Sequence, residues 1–134
     1  MEPKKILIID DDRVSLLSIS AKLRASGFQT AAAGDATMAT TIAKQEKPDL
    51  IILDINLPGG DGITVMQHMS SINTLALTPI IIITGTESES LEKRALESGA
   101  VAFFQKPFNL NELLETIQKI LGVPATSETD SKHQ

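Results

Sequence analysis

The sequence predicts one α/β domain: five parallel strands, each followed by a helix, with helices on both faces of a doubly wound sheet. Two observations predict it. Short apolar runs alternate with segments of helical period along the chain, and the connections between them are brief. The runs Ile6–Ile9, Leu50–Leu53 and Ile80–Ile83 are apolar without interruption, as expected of strands buried on both faces. Right-handed crossovers then leave few topologies open.

The first strand, Ile6 to Ile9, is closed by Asp10, Asp11 and Asp12. From Arg13 the period changes: Leu16, Ile19 and Leu23 share one helical face, with Leu17 beside it, and Ser26-Gly27 stops the helix. Phe28 to Ala33 reads as a weaker strand of small residues, ended by Gly34-Asp35. Asp35 is placed to cap a helix running to about Glu46, with Ala39, Ile42 and Ala43 turned inward. Lys47-Pro48-Asp49 breaks the chain before the third strand, which runs from Leu50 into Asp54. Pro58, two glycines, Asp61 and Gly62 turn the chain over into a helix that buries Ile63, Met66 and Met69.

Asn73 to Pro79 reads as loop, and Ile80 to Ile83 as the fourth strand, ending at Thr84-Gly85-Thr86. Ser88 to Ser98 is a charged helix held through Leu91 and Ala95 and ended by Gly99. Val101 to Gln105 is the fifth strand. After Lys106-Pro107-Phe108, Asn109 caps a last helix with Leu110, Leu113, Leu114, Ile117 and Leu121 on its apolar side, closed by Gly122. Residues 1–122 make up the domain. Residues 123–134, VPATSETDSKHQ, have no apolar period and read as a disordered tail or a truncated linker.

Composition narrows the function. The absence of cysteine excludes disulfides, thiol catalysis and cysteine-ligated metal. His68 and His133 stand far apart with no partner at ligand spacing, which removes the usual parts of zinc and histidine-base chemistry. A net charge of −5 with no basic run argues against direct nucleic-acid binding. No apolar run approaches the roughly 20 residues of a membrane span. Met1 to Lys5 lead into only four apolar residues, which is not a signal peptide. A cytoplasmic protein without membrane contact is expected.

Beside Pro and Gly, an aspartate such as Asp54 is commonly a turn or cap residue, and alone it supports that reading as well as a chemical one. The other strand ends add to it. Open α/β sheets bind ligands outside the carboxyl ends of their strands. Here those ends deliver Asp10, Asp11 and Asp12, then Asp54, Thr84 and Lys106. With strands about 4.8 Å apart, side chains from several ends can meet. Crowded carboxylates repel and call for a compensating cation. An all-oxygen site that keeps several waters suits Mg²⁺. Lys106 adds a mobile positive charge, Thr84 a hydroxyl donor and Gly85 an open backbone N–H. These are the parts needed to accept a phosphoryl group.

The stretches IIDDD, LDINLPGGDG, IIIITGT and FFQKPF, in this order and spacing, resemble the receiver domains of two-component response regulators, of the chemotaxis-receiver type, over about Lys4 to Gly122. The resemblance implies a flavodoxin-like sheet of order 2-1-3-4-5 and assigns roles residue by residue. Asp54 is similar to the aspartate that accepts phosphate from a histidine kinase or histidine phosphotransfer protein. Asp11 would bind Mg²⁺ directly and Asp10 mainly through water, with Asp54 and the main-chain carbonyl of Asn56 completing the set and Mn²⁺ able to substitute. Lys106 resembles the phosphate-pairing lysine, joined to Pro107 by a cis bond, and shares phosphate binding with Thr84 and Gly85. Thr84 resembles the switch hydroxyl and Phe103 the switch aromatic. Such a domain catalyses only its own phosphorylation and dephosphorylation. The surface of its fourth helix, fifth strand and fifth helix would control binding of a downstream protein or a second copy of the chain.

Some positions depart from the family pattern. Asp12 is optional there and suits a helix N-cap better than a ligand. Gly85 is smaller than the alanine or serine often found, and Phe103 replaces a frequent tyrosine. Asn56 and Thr86, two residues beyond the acceptor and the switch threonine, occupy positions that tune water access. Two other readings compete. Asp10-x-Asp12-x-Val14 and IIIIT imitate motifs of a haloacid-dehalogenase-type phosphohydrolase, but no acidic pair follows a later strand, there is no cap insert, and Asp54 would have no role. A receiver-shaped scaffold that is never phosphorylated would leave a full set of phosphorylation residues unused.

Overall fold

The computed structural model describes residues 2–124. Five strands, β1 (Lys5–Ile9), β2 (Gln29–Ala33), β3 (Leu50–Asp54), β4 (Ile80–Thr84) and β5 (Ala102–Gln105), form one parallel sheet. Its order is β2-β1-β3-β4-β5, the expected 2-1-3-4-5. Helices α1 (Arg13–Ala25), α2 (Ala36–Glu46), α3 (Gly62–Ser70), α4 (Glu89–Glu97) and α5 (Leu110–Leu121) connect or follow them. The expected tail, apart from Val123 and Pro124, lies outside the described residues, as does His133.

Period-two alternation divides the core into two halves separated by the sheet. Ile6, Ile8, Leu50, Ile52, Ile81 and Ile83 pack with Ile19 and Leu23 of α1 and with Leu113 and Ile117 of α5. Leu7, Ile9, Ile51, Leu53, Ile80 and Ile82 pack with Ala39 of α2, Met66 of α3 and Ala95 of α4. Every residue of β3 and β4 is buried, which is why both read as unbroken apolar runs.

Four local expectations are corrected. Leu17 is exposed: α1 packs through Leu16, Ile19, Ser20 and Leu23, and Leu17 lies about 100° round the helix from Leu16. Phe28 is not in β2. Its N–H donates to the Leu23 carbonyl at 3.0 Å and that of Gly27 to Arg24 at 3.1 Å, a Schellman end to α1 with Gly27 at φ +96°. The ring is buried against the same half-core as Leu23, so Phe28 caps the helix and the strand begins one residue later. Val101 is likewise outside β5, and half of it is exposed. The Asn73–Pro79 loop contains a 3₁₀ turn, Asn73–Leu75, that buries Leu75.

After β3 the chain makes a feature not legible as strand: Asn56–Leu57 pairs antiparallel with Gly60–Asp61. Gly62 then returns to the start of this loop, its N–H donating to the Ile55 carbonyl at 2.9 Å. A Cβ added at Gly62 would lie 2.4 Å from the Ile55 Cα and 2.8 Å from its carbonyl oxygen. Those are backbone atoms that cannot step aside, so Gly62 fixes how the loop after Asp54 is folded.

Gly62→Ala is therefore expected to destabilise the domain by about 1–3 kcal/mol, the usual range for forced overpacking. Gly34→Ala is the control, because an added Cβ there meets nothing within 4 Å. Urea unfolding of both variants checks this, and equal midpoints would show that the Ile55–Gly62 contact yields easily.

Candidate functional site

Three strands deliver the charged residues. Asp10 follows β1, and its N–H still donates to the Ala33 carbonyl at 3.0 Å, so the backbone keeps the ladder for one more residue. Asp54 ends β3 beside Ile83. Lys106 follows β5, its N–H donating to the Thr84 carbonyl at 2.7 Å. In the strand alternation Asp10, Asp54 and Lys106 continue the residues that face α1 and α5, whereas Thr84 and Phe103 are in phase with the opposite half-core.

The Lys106 ammonium lies between two carboxylates, donating to Asp10 Oδ2 at 2.9 Å and to Asp54 Oδ2 at 3.1 Å. The other oxygen of each is also satisfied from the backbone: Asp12 N–H to Asp10 Oδ1 at 2.9 Å, and Asn56 N–H to Asp54 Oδ1 at 3.0 Å. Asp10 is 1% and Asp54 4% exposed, a depth at which carboxylates require such partners. Asp11 is exposed, yet carboxylate oxygens of Asp10, Asp11 and Asp54 lie within 4.8 Å of one another.

Burial pushes the Asp10 carboxyl above the ordinary carboxylate range; the Asp12 N–H and Lys106 pull the other way, and the charge of Asp54 adds to the rise. For Lys106, burial would lower the pKa. The bond to Asp10 and the attraction of both carboxylates outweigh it and hold the ammonium above the usual lysine range. The two partners move in the same direction because burial dominates on the deeper Asp10, while pairing dominates on Lys106, whose side chain is 19% exposed.

An all-oxygen donor set with one solvent-facing carboxylate fits a hard divalent cation that retains waters. Asp12 is not in that set. Its side chain accepts from Val14 N–H at 3.0 Å and caps α1, which removes the second aspartate that a hydrolase built on Asp10 and Asp12 would need.

Thr84 is fully buried. Its hydroxyl accepts from Thr86 N–H at 3.0 Å and from Asn56 Nδ2 at 3.2 Å, and the same amide nitrogen donates to Thr86 Oγ1 at 3.0 Å. Gly85 is exposed, and a Cβ added there would lie in open space. Phe103 is half-buried, packing on the half-core that contains Ile82 and bordering a cleft with Glu87, Glu89, Glu92 and Gln105. The Lys106–Pro107 bond is cis. The Asn56 side-chain network was not foreseen: a side chain's hydrogen-bond partners across a cleft leave no mark in local spacing. The phase that puts Asp10, Asp54 and Lys106 on one side could have been counted from the strands.

The model of the response regulator receiver domain family matches residues 6–118, and the chain belongs to that family. It is thus a two-component signalling domain with a flavodoxin-like fold. It is 32% identical over 117 residues to the transcriptional regulatory protein PdtaR of Mycobacterium tuberculosis, covering 87% of this chain and 56% of that protein. To the sporulation initiation phosphotransferase F of Bacillus subtilis it is 32% identical over 121 residues, covering 90% and 96%. The receiver domain of a Pseudomonas aeruginosa sensor histidine kinase, whose structure has magnesium coordinated in the active-site cleft, superimposes with a TM-score of 0.81 at 27% identity, covering 90% and 98%. The chain spans about half the length of several curated relatives that it matches, PdtaR among them, and nearly all of others.

The raised Asp10 pKa has a consequence for metal-free protein. The folded domain holds the Asp10 proton more tightly than the unfolded chain, so this contribution to stability is full below the ordinary value of 3.8 and is lost as pH rises through the raised folded value. Asp10→Asn, neutral at every pH, is expected to raise the unfolding midpoint at pH 7 in the presence of a chelator. The gain should shrink as pH falls toward 3.8. Thermal unfolding across that range checks it. A lower midpoint for the variant at pH 7 would mean that the Lys106 pairing outweighs burial.

Proposed function

We propose that Asp54 accepts a phosphoryl group from a phosphohistidine on a histidine kinase or histidine phosphotransfer protein, and that the phosphorylated chain presents a changed surface to its partners. The observation that carries this reading is the Lys106 ammonium bridging Asp10 and Asp54 with the exposed Asp11 alongside. An Asp54 oxygen attacks phosphorus, the O–P bond forms, the P–N bond breaks, and the imidazole nitrogen retains the electron pair. Lys106 stands beside the Asp54 oxygen and pairs with an oxygen of the transferred group. Asp10, Asp11, Asp54 and the Asn56 carbonyl would hold Mg²⁺, or Mn²⁺ in its place, which when bound neutralises charge on the phosphoryl oxygens. Gly85 leaves its N–H accessible to the same group.

The Thr84 hydroxyl donates to the phosphoryl group, since a charge-assisted hydrogen bond is about twice as strong as a neutral one. Its displacement vacates space beside β5, which the half-buried Phe103 turns inward to fill, and the α4–β5–α5 face changes shape. A downstream protein or a second copy of the chain reads that face. The names of PdtaR and of the Bacillus phosphotransferase fit both uses of a receiver, in regulation and in relay. Among the described residues no helix is long and apolar enough to cross a membrane, which fits the proposed place of action in the cytoplasm.

Incubation with acetyl phosphate and Mg²⁺ is expected to add one phosphoryl group to the intact mass of the wild type and none to Asp54→Asn. An undiminished gain in the variant would remove Asp54 from the role. Calorimetric titration with Mg²⁺ separates the neighbouring aspartates. Asp11→Ala should weaken binding about tenfold or more, the scale on which even supporting residues of metal sites act. Asp12→Ala should leave binding nearly unchanged, because that side chain caps α1. Equal losses would place Asp12 in the metal set.

A further inference from the structure

Taking the phosphoacceptor reading as its basis, we infer that the Asn56 side chain is a positioning residue: it holds the Thr84 hydroxyl in its resting place and sets how readily the switch is thrown. Asn56 is attached to both ends of the chemistry. Its main-chain N–H donates to Asp54 Oδ1, and its side-chain Nδ2 donates to the hydroxyls of Thr84 and Thr86. The loop that presents this amide is braced by the Asn56–Asp61 and Leu57–Gly60 pairing and by the Gly62 approach to Ile55. The amide is therefore offered from a fixed platform.

A hydroxyl oxygen has two acceptor sites and one proton. In Thr84 both acceptor sites are filled, one by Thr86 N–H and one by Asn56 Nδ2. The first is a local bond within the strand's own continuation. The second comes from another element and spans the gap between the ends of β3 and β4. Swinging the hydroxyl toward a phosphoryl group on Asp54 breaks the Asn56 bond. Asn56 is exposed, so water satisfies the released amide and the latch opposes the movement only by the net worth of a neutral hydrogen bond. That is weaker than the charge-assisted bond gained, so phosphate opens the latch, and the latch keeps the unphosphorylated domain at rest.

The test uses the full chain with beryllofluoride as the phosphoryl mimic at saturating Mg²⁺. Calorimetry compares the wild type, Asn56→Ala, Thr84→Ala and the double variant. Asn56→Ala keeps the main-chain carbonyl and N–H and removes an exposed side chain, and a prior Mg²⁺ titration of each variant sets the saturating concentration. It is expected to bind beryllofluoride about twofold to tenfold more tightly, the equivalent of one net hydrogen bond. In the Thr84→Ala background the same substitution should change nothing. A readout that a merely structural role would not move is the ligand-free NMR spectrum. In Asn56→Ala the Thr84 methyl and Phe103 ring signals should lie part-way toward their beryllofluoride-bound positions. A gain of equal size in both backgrounds would show that Asn56 acts by obstructing access, which overturns the inference. So would unchanged or weaker binding. Failure of the wild type to bind beryllofluoride at all would overturn the phosphoacceptor reading and this inference together.

Discussion

The site depends on one ammonium group placed between two buried carboxylates. Asp10 and Asp54 come from adjacent strands, and the burial of β1 and β3 takes their side chains out of water with them. Two anions in that position repel, and each is expensive to desolvate. Lys106 answers both from β5, two strands from β3, by reaching past the end of β4. Removing the Lys106 cation would leave two buried carboxylates facing each other uncompensated, a loss that typically destabilises by about 3–5 kcal/mol. The arrangement is thus held by electrostatics that three separate strands must cooperate to satisfy. Asp11 faces solvent at the rim, with a carboxylate oxygen within 4.8 Å of those of Asp10 and Asp54.

Around that charge set the backbone does much of the positioning. Asp12 and Asn56 each donate an N–H to the carboxylate two residues before them, so both aspartates are oriented by their own following turn. After Asp54 the chain is further fastened by a two-residue ladder and by Gly62, whose missing side chain lets the start of α3 lie against Ile55. Rigid placement of this kind favours chemistry that needs alignment more than it needs reactive side chains. On the other side of the sheet, Thr84 is in phase with the half-core of α2, α3 and α4, and Phe103 packs against that half-core while only half-buried.

Much of this was legible in the sequence. The five strands and five helices followed from apolar runs and helical period, and the caps at Asp12, Asp35 and Asn109 stand where the residue types suggested. The misplacements have a common cause. Phe28, Val101 and Leu17 are large apolar residues next to apolar elements, and composition alone cannot tell a strand residue from a helix-end plug or an exposed neighbour. The charged members of the site could be listed because each ends its own strand. The Lys106 bridge and the bonds of Asn56 to Thr84 and Thr86 could not, because they depend on side-chain direction across gaps between strands. Gly62 read as a turn residue, whereas its role is close packing against a backbone.

The sheet also acts as a partition. Leu50 to Leu53 and Ile80 to Ile83 are buried on both faces, so along their length the two half-cores are sealed from each other. At the carboxyl rim, where the strands stop, the Asn56 amide reaches from the loop after β3 to the Thr84 hydroxyl at the end of β4. The volume of the α2–α4 compartment can consequently drift by compensating exchanges among its aliphatic residues without disturbing the charge balance on the α1–α5 side.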